Sequence, residues 1–406
     1  MSLEQVETLF SEHIALQDQQ GTAKRNESVI TGVKTAVNGD GPRYFLAGQG
    51  NQEFLRMNCN SYLGLENHQA VIQAEAQAAE LFGTGPGSVR FISGTYQSHQ
   101  DLEQKLAEFH ARESAMVFSS AYATMMGVLP RFITQDTLVV SDALNHNCII
   151  NAIRLSGAAK KAIYAHLDMA ELHQILQSNQ GLYKRVCVVT DGVFSMRGDF
   201  AALDTMVALC KQHEQYYVEG IITVVDDSHG VGAWGQTGRG TEEVTRTTVD
   251  VLIATLGKAF AVNGGYVVSS AQVIDYLRET APLYIYSNSI TPAEAAAALK
   301  AVQIVDSAEG LQKQRSLRIL SAQLREGLVD AGFETLASEH PIVPVFIRDT
   351  ARTGMLVQYL FSHKILATGL TFPVVPNGEE EIRFQVSASH TEQDIDYLLQ
   401  VLNSFR

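Results

Sequence analysis

Short apolar runs alternate with helical patterns between about residue 100 and residue 270. Six of these runs consist mainly of β-branched and other apolar residues, and they span Ala115–Phe118, Leu138–Ser141, Val186–Thr190, Ile221–Asp226, Val251–Thr255 and Gly265–Ser269. Near-continuous apolar runs are typical of strands that are buried on both faces, and intervening helices allow those strands to pair in parallel. The pattern therefore predicts a mainly parallel α/β sheet that is covered by helices.

The chain after about residue 295 has a different pattern. Helical patterns cover Ala293–Ile304 and residues 309–332, and apolar runs follow at Pro344–Ile347 and Ile382–Ser387. A last helix is predicted to begin at Thr391-Glu392-Gln393-Asp394, which has the form of a capping box. We interpret this part of the chain as a smaller α+β domain.

The N-terminal segment is helical in pattern. Residues 3–20 have the spacing of an amphipathic helix, and Gly21 with the polar residues after it ends that helix. We therefore expect an N-terminal helix and extension at 1–56, a large domain at 57–295 and a small C-terminal domain at 296–406.

The charge of the chain narrows the classes of partner. A formal net charge of −14 disfavours binding to nucleic acid or to an anionic membrane. No apolar stretch approaches the roughly 20 residues that a membrane-spanning helix needs. The first residues are acidic and amphipathic and lack the features of a signal peptide, so we expect a cytoplasmic protein.

The cysteines indicate neither a disulfide framework nor a metal site. All four are scattered along the chain without a C-x-x-C pair, at Cys59, Cys148, Cys187 and Cys210. They are interpreted as core thiols in a reducing compartment, and no metal ligands are assigned.

One apolar run ends in an unusual way. Residues 221–225 lead directly into Asp226 and Asp227, and His229 follows. Ligands of parallel sheets lie at the carboxyl ends of the strands, so acids and an imidazole at this place are candidates for a binding site. A strand end that is simply capped by polar loop residues is the ordinary alternative.

Other predicted strands also end in polar or reactive residues. Ser119-Ser120-Ala121-Tyr122 opens a helical pattern after the first run, and a helix N-terminus is a favourable site for phosphate. His146, Ser195 and Lys258 follow three further runs, and Thr255 is the last residue of the run before Lys258. Each of these residues alone could be an ordinary loop or surface residue. Only their combination indicates a binding site.

The combination suits pyridoxal phosphate. A desolvated lysine can form a Schiff base, and an aspartate can keep a pyridine nitrogen protonated so that the ring accepts electrons. A histidine can stack on the ring, while hydroxyl groups and a helix N-terminus can hold the phosphate. The sequence therefore predicts pyridoxal 5'-phosphate at the carboxyl edge of the large sheet.

The sequence resembles the α-oxoamine synthases, which are fold-type I pyridoxal-phosphate transferases. The matching stretches run in family order along nearly the whole chain: N-S-Y-L-G-L (60–65), G-T-G-P-G-S-V-R-F-I-S-G-T (83–95), S-D-A-L-N-H (141–146), T-D-G-V-F-S-M (190–196), V-D-D-S-H (225–229), T-L-G-K-A (255–259), Y-S-N-S (286–289), F-P-V-V-P (372–376) and I-R-F-Q-V-S-A-S-H-T (382–391). The glycines of 83–88 are not followed by the strand–helix context of a dinucleotide site, so they indicate a turn near the cofactor. The resemblance implies a large domain with a mainly parallel sheet and a smaller C-terminal domain.

The resemblance also implies roles for catalytic residues. Lys258 forms the Schiff base with the cofactor, and His146 stacks on the ring. Asp226 contacts the pyridine nitrogen, His229 contacts the ring hydroxyl, and Asp227 supports the loop. Of the polar residues after residue 225, Asp226 and His229 are then the cofactor ligands.

Further cofactor contacts are implied in the same way. Phosphate contacts come from Ser120, Ala121, Tyr122 and Thr255, a ring contact comes from Ser195, and phosphate contacts from the neighbouring subunit come from Ser287 and Asn288. A homodimer with shared active sites follows from the last pair.

The implied reaction joins an amino acid to an acyl-CoA. Asn60 and Arg383 would bind the amino-acid carboxylate, for which a guanidinium group is well suited. The 2-amino-3-ketobutyrate-forming members of the family are the best match, so glycine and acetyl-CoA are the expected substrates.

Three departures from the family pattern weaken this assignment of the substrates. Phe260-Ala261-Val262-Asn263 replaces a small-residue run, Ala123-Thr124-Met125-Met126 replaces a polar and small run, and Arg197 stands where many relatives carry an acid. The run after Lys258 is also one residue shorter, and this shorter loop resembles relatives with longer acyl donors, namely 8-amino-7-oxononanoate synthases, serine palmitoyltransferases and synthases of α-amino-ketone signals, which decarboxylate their product. Methionines more often fill a core than bind an acyl chain.

Two other classes remain open. A different fold-type I enzyme, such as an aminotransferase or a decarboxylase, is disfavoured by the distributed motifs. A non-catalytic partner subunit is disfavoured because Lys258, Asp226, His146 and Arg383 are all present.

Overall fold

The computed structural model describes residues 3–20, 23–25, 27–36, 39–372 and 374–405. Its helices are α1 Leu3–Gln19, α2 Gln69–Phe82, α3 Gln97–Phe109, α4 Ala121–Val128, α5 Asn147–Leu155, α6 Met169–Ser178, α7 Leu203–His213, α8 Thr241–Thr245, α9 Ala271–Thr280, α10 Pro282–Ile285, α11 Pro292–Val305, α12 Ala308–Asp330, α13 Thr350–Ser362 and α14 Glu392–Ser404. Its strands are β1 Ile30–Lys34, β2 Arg43–Leu46, β3 Leu55–Arg56, β4 Ser114–Phe118, β5 Thr137–Asp142, β6 Lys160–Tyr164, β7 Arg185–Asp191, β8 Ile221–Asp226, β9 Val251–Thr255, β10 Gly265–Ser269, β11 Ile342–Phe346, β12 Ile365–Leu366, β13 Thr368–Leu370 and β14 Glu381–Gln385.

The main sheet has seven strands in the order β4-β10-β9-β8-β7-β5-β6. The strands β6, β5, β7, β8 and β9 pair in parallel, whereas β10 is antiparallel to both of its neighbours. The predicted mainly parallel sheet is confirmed, and all six predicted strands are present in it. The sequence did not predict β6, because this edge strand begins with two exposed lysines and lacks the apolar run of a buried strand.

Helices cover both faces of this sheet. Successive residues of one strand belong to different apolar clusters, as Val224 and Val225 of β8 show. Both side chains are fully buried, and burial of a valine stabilises the folded state by about 1.5–3 kcal/mol. Alternation between two apolar layers therefore fixes the register of β8 and the position of the polar residues at its end.

A smaller sheet forms in the C-terminal part, in the order β11-β14-β13. Its central strand β14 pairs antiparallel with both neighbours. The predicted capping box of α14 is confirmed, since Asp394 N donates to Thr391 Oγ1 at 3.2 Å and Thr391 N donates to Asp394 Oδ2 at 3.0 Å. The predicted helices before this sheet are also present, as α11 and α12.

The N-terminal helix is present over nearly the predicted range, as α1. None of its residues is buried. Gly21, which was predicted to end it, lies outside the described residues, as does Pro373 of the F-P-V-V-P stretch. In the part of the chain that the structure describes, no helix is both long and apolar enough to cross a membrane.

Candidate active site

The carboxyl ends of neighbouring strands form one cavity. In the parallel sheet Asp191, at the end of β7, pairs in register with Asp226, at the end of β8, and β9 ends beside them at Thr255. The cavity at this edge has a volume of about 260 Å³ and is lined by Ser120, Ala121, Tyr122, His146, Cys148, Asp191, Val193, Ser195, Asp226, Ser228, His229, Thr255 and Lys258. Nine of the sequence-predicted residues therefore meet at one place.

The two acids at the end of β8 have different surroundings. Asp226 faces the cavity; its Oδ1 accepts from Ser228 N at 3.1 Å and from Ser228 Oγ, whereas its Oδ2 accepts only the distant Cys148 thiol at 3.5 Å. Asp227 is fully buried and accepts from Thr241 N at 2.6 Å and from Thr241 Oγ1 at 2.7 Å. One acid is thus free to bind a ligand, and the other holds the following loop.

Glycine makes room for the buried acid. A Cβ atom on Gly230 would lie 2.1 Å from Asp227 Oδ1, so no side chain fits there. Burial raises the pKa of Asp227 to about 7, against the hydrogen bonds from Thr241 that lower it. These contacts place Asp227 in the loop and away from the cavity.

Lys258 is the amine of the site. It follows β9 in a tight loop, in which Ala261 N donates to Lys258 O at 3.0 Å and Ala261 has a left-handed φ of 58°. Loss of contact with water lowers the pKa of Lys258 to about 8, although Asp226 and Asp191 favour its charged form. Such an amine is far more often neutral at pH 7 than an exposed lysine, which is what a nucleophile requires.

His229 contacts two residues, Tyr62 and His340, that do not line the cavity. Its Nδ1 is 2.7 Å from the hydroxyl of the buried Tyr62, and its carbonyl oxygen accepts from His340 Nε2 at 2.9 Å. Burial lowers the pKa of His229 well below its usual value, so the ring is neutral at pH 7. Its Nε2 is then the atom left to contact a ligand. Tyr62 could not be predicted as a partner of His229, because the two residues are 167 positions apart in the sequence.

His146 is held by backbone contacts. It is the N-cap of α5, and its Nδ1 accepts from Cys148 N at 3.2 Å. Its own backbone N–H donates to Asp191 Oδ2 at 2.6 Å, and Asp191 N donates to Asn145 Oδ1 at 2.8 Å. Burial lowers the pKa of His146. Asp191 was missed as a site residue, although its place at the end of an apolar run was the same signal that identified Asp226.

The first turn of α4 lies at one end of the cavity. Ser120 caps this helix by accepting from Ala123 N at 3.0 Å, and the helix begins beside Gly265 of β10. A Cβ atom on Gly265 would lie 2.2 Å from Ala121 N, so only glycine lets the helix start there. Thr255 pairs in register with Gly265, and its Oγ1 accepts from Gly257 N at 3.0 Å. Free N–H groups and hydroxyls at this end suit a phosphate group.

A second group of polar residues lies beside Ser195. Arg383 donates through Nη1 to Ser195 O at 2.7 Å. Its Nε and Nη2 lie 2.8 Å and 2.6 Å from the Gln385 side-chain amide oxygen, in the amide orientation that satisfies both groups. The Gln385 amide also lies 3.1 Å from the amide of Asn60. The two predicted carboxylate-binding residues are therefore joined by Gln385, which the sequence did not identify.

Several predicted or suspected residues lie outside the cavity of their own chain. Ser287 and Asn288 are not among its lining residues. Met125 is fully buried in the core with Phe118 and Val128, and Met126 packs against the same cluster. The methionines are therefore core residues, as the commoner interpretation held. Arg197 forms ion pairs with Asp199 at 2.9 Å and Glu379 at 3.3 Å.

The residues of the cavity fit pyridoxal phosphate. The pyridine nitrogen would meet the Asp226 carboxylate, whose Oδ2 has only the distant thiol as a partner, and the ring hydroxyl would meet the neutral His229 imidazole. The aldehyde would meet the Lys258 amine with its lowered pKa, and the phosphate would meet the N-terminus of α4. No cluster of three or more metal-ligating side chains is found among the described residues.

Comparisons with known proteins agree with this site. The family "Aminotransferase class I and II" matches residues 52–402. The 8-amino-7-oxononanoate synthase of Bacillus pumilus is 38% identical over 86% of this chain and 88% of its own, and that of Geobacter sulfurreducens is 37% identical over 92% and 93%. The solved serine palmitoyltransferase of Sphingomonas wittichii has a TM-score of 0.88 and 27% identity over 100% of this chain and 98% of its own.

These relatives change one expectation about the substrates. Glycine and acetyl-CoA receive no support from them, whereas the alternative with a longer acyl chain does. The cofactor and the fold-type I transferase fold are as predicted. The chain therefore belongs to the aminotransferase class I and II family and, within it, to the α-oxoamine synthases, which are pyridoxal-phosphate-dependent acyltransferases.

Proposed function

We propose that this enzyme joins a small α-amino acid to an acyl thioester whose chain is longer than acetyl and uncharged at its far end. A carbon–carbon bond forms between the amino-acid α-carbon and the thioester carbonyl carbon. The thiol leaves as the carbon–sulfur bond breaks, and the amino-acid carboxylate leaves as carbon dioxide. The product is an α-amino ketone.

Some cavity residues would bind the cofactor, and one of them would accept the substrate proton. Pyridoxal phosphate, when bound, supplies an electron-accepting ring that stabilises negative charge on the α-carbon. Lys258 would hold it covalently through Nζ, Asp226 would contact its ring nitrogen, and His146 would cover its ring. The free amine of Lys258, whose pKa is lowered to about 8, would be able to accept the α-proton of the substrate.

Arg383 and Asn60 would bind the amino-acid carboxylate. The contacts of Arg383 with Ser195 O and Gln385 leave part of its N–H donors for a ligand. Because Ser195 also lines the cofactor cavity, a carboxylate on Arg383 would bring the α-carbon next to Lys258. This arrangement supports an amino acid as the first substrate.

The acyl chain is assigned to a neighbouring cavity of about 100 Å³. It shares Ser195 with the cofactor cavity, and its walls are mainly apolar, formed by Leu144, Phe194, Ser195, Met196, Arg197, Val374, Val375, Pro376 and Glu379. Apolar walls favour an acyl chain over a water-filled acetyl site.

The charges of this second cavity are the observation that carries the proposal. Among the described residues that line it, Arg197 is the one cation, and it is already paired with two carboxylates, Asp199 and Glu379. A chain that ends in a carboxylate would have to displace one of them or lie beside the carboxylate of Glu379, and like charges repel each other. An uncharged chain meets neither cost.

A second candidate function follows from the relatives. The product named in "8-amino-7-oxononanoate synthase" carries a carboxylate at one end of its chain. If this enzyme makes such a product, its acyl donor has to end in a carboxylate as well.

Thiol release from a panel of thioesters separates the candidates. Holoenzyme is assayed with acetyl-, octanoyl- and 6-carboxyhexanoyl-CoA, each with glycine, alanine and serine, and carbon dioxide is measured in parallel. We expect kcat/KM for octanoyl-CoA to exceed both others by about 10-fold or more, in the range that hydrophobic pockets discriminate. Preference for the carboxylate-ended donor would establish the second candidate, and preference for acetyl-CoA would restore the first expectation.

Glu379→Gln offers a matched variant. It removes one carboxylate from Arg197, so activity with 6-carboxyhexanoyl-CoA should rise relative to octanoyl-CoA. An unchanged ratio would show that the acyl chain does not reach Arg197.

We also propose that the enzyme is a homodimer with shared active sites. Ser287 and Asn288 would contact the phosphate bound by the neighbouring chain, which agrees with their absence from the cavity of their own chain. Lys258→Ala and a double change of Ser287 and Asn288 to bulky residues should each be inactive. In a mixed dimer one site carries both lesions and the other carries none, so random mixing should restore up to about a quarter of wild-type activity. If activity does not recover although subunit exchange is confirmed, Ser287 and Asn288 act in the active site of their own chain.

A further inference from the structure

His166 lies between the carboxylates of two separate active-site loops. It follows the edge strand β6, and its Nδ1 is 3.0 Å from Asp142 Oδ1 while its Nε2 is 3.2 Å from Asp199 Oδ2. Neither the sequence motifs nor the cofactor cavity involve this residue. The imidazole side chain is only 17% exposed, so the contacts are largely shielded from water.

Each carboxylate organises a loop that carries a residue of the site. Asp142, at the end of β5, also accepts from Leu144 N at 2.8 Å and from Leu167 N at 2.9 Å, and the loop it holds leads to His146. Asp199 closes the other loop, because its carbonyl oxygen accepts from Phe194 N at 2.9 Å.

The second loop presents a contact for the amino-acid site. Ser195 lies within it, and its carbonyl oxygen is the one that Arg383 binds. The Phe194 ring and the His166 imidazole are nearly perpendicular to each other, with a centroid distance of 4.4 Å. His166 is thus the link between the loop of His146 and the loop of Ser195.

Both carboxylates are acceptors, so both imidazole nitrogens have to donate. Only the protonated imidazolium carries a proton on each nitrogen. We propose that His166 is a positioning residue which, as a cation, holds the loops of His146 and Ser195 together, so that its deprotonation loosens both and lowers acyltransfer. The inference rests on acyltransferase activity and holds whichever acyl chain the enzyme takes.

The surrounding charges favour the cation at neutral pH. Burial works against the charge, but the hydrogen bonds to Asp142 and Asp199 outweigh it and raise the pKa of His166 to about 9. Arg197 donates to the same Asp199 oxygen at 2.9 Å. Glu171, the other acid near His166 along the chain, accepts from Ala165 N.

The sign of the pH effect follows from this shift. The pKa in the folded protein lies above the unfolded value of about 6.5. The stabilisation is therefore complete below about pH 6.5 and is lost as the pH rises through about 9.

The test compares pH profiles of holoenzymes. His166→Asn removes the cation, and kcat/KM at pH 7 should fall by about 10-fold to 100-fold, since a displacement near 1 Å costs up to about 10²-fold. His166→Arg keeps a charge that does not titrate, so it should retain more activity and shift the fall in kcat/KM near pH 9 to higher pH. His68→Asn is the matched control, because His68 pairs with Glu309 at 2.9 Å on another part of the surface; its profile should equal that of wild type.

Two results would overturn the proposal. One is a folded His166→Asn enzyme with wild-type kcat/KM and an unchanged pH profile. The other is a His166→Arg enzyme whose alkaline fall in activity coincides with that of wild type, which also decides the matter if His166→Asn does not fold. Absence of thiol release in wild type would instead count against the acyltransferase function.

Discussion

The seven-stranded sheet and the three-stranded sheet contribute to the site in different ways. In the large sheet, polar residues stand at the ends of parallel strands, and the strand register alone brings Asp191 beside Asp226. In the small sheet, Arg383 and Gln385 lie two residues apart on the same face of the central strand β14. The first arrangement suits a rigid cofactor site, and the second suits a substrate site that depends on contacts between distant parts of the chain.

Lys258→Ala tests the cofactor site of the large sheet and should have the largest effect. Loss of the amine removes both the covalent anchor and the proton acceptor, so turnover should fall by on the order of 10³-fold or more. The rate of thiol release measures turnover. Lys184→Ala is the control, since this exposed lysine pairs with Asp136 at 2.7 Å and should leave turnover unchanged. Near-normal turnover of Lys258→Ala would remove Lys258 from the mechanism.

Asp226→Asn is expected to have the next largest effect. An amide stabilises a protonated ring nitrogen poorly, so exchange of the amino-acid α-hydrogen with solvent should slow by about 10²-fold. Proton NMR in deuterated buffer follows the exchange. Asp227→Asn should instead act on stability, because Asp227 binds Thr241 and not the cavity. Equal exchange rates in wild type and Asp226→Asn would contradict the assignment.

In the small sheet, Gln385→Leu tests positioning. Arg383 loses a partner for Nε and Nη2, so KM for the amino acid should rise by about 10-fold while kcat changes little. Steady-state kinetics at saturating acyl-CoA separate the two constants. A fall in kcat with constant KM would mean that Gln385 acts on the reaction and not on amino-acid binding.

Met125→Ala should have the smallest effect on substrate choice. Its side chain is fully buried, so truncation should lower the free energy of unfolding by about 2–5 kcal/mol. The ratio of kcat/KM values for octanoyl- and acetyl-CoA should stay the same. A change in that ratio without loss of stability would return Met125 to the acyl site.

The sequence predicts the large sheet well because buried strands need continuous apolar runs. The end of β8 illustrates this, since a one-residue shift would put Val224 and Val225 in the wrong layers. The edge strand β6 escapes prediction because one side of it meets water.

The partners of the site residues are harder to predict than the residues themselves. Gln385 contacts Asn60 across 325 positions, and Arg383 contacts Ser195 across 188. Such contacts depend on the packing of the small sheet against the large one, and no local pattern encodes them. Tyr62 and His166 were missed for the same reason.

The central claim is that the large sheet holds the cofactor and the small sheet holds the amino-acid carboxylate. Its most direct test is a pair of absorbance titrations, with pyridoxal phosphate and with the amino acid, on wild type, Asp226→Asn and Arg383→Ala. We predict that Asp226→Asn weakens cofactor binding, and that Arg383→Ala weakens amino-acid binding by about 2–4 kcal/mol while its cofactor affinity stays that of wild type. If Arg383→Ala weakens the cofactor and leaves the amino acid unaffected, the division between the two sheets is wrong.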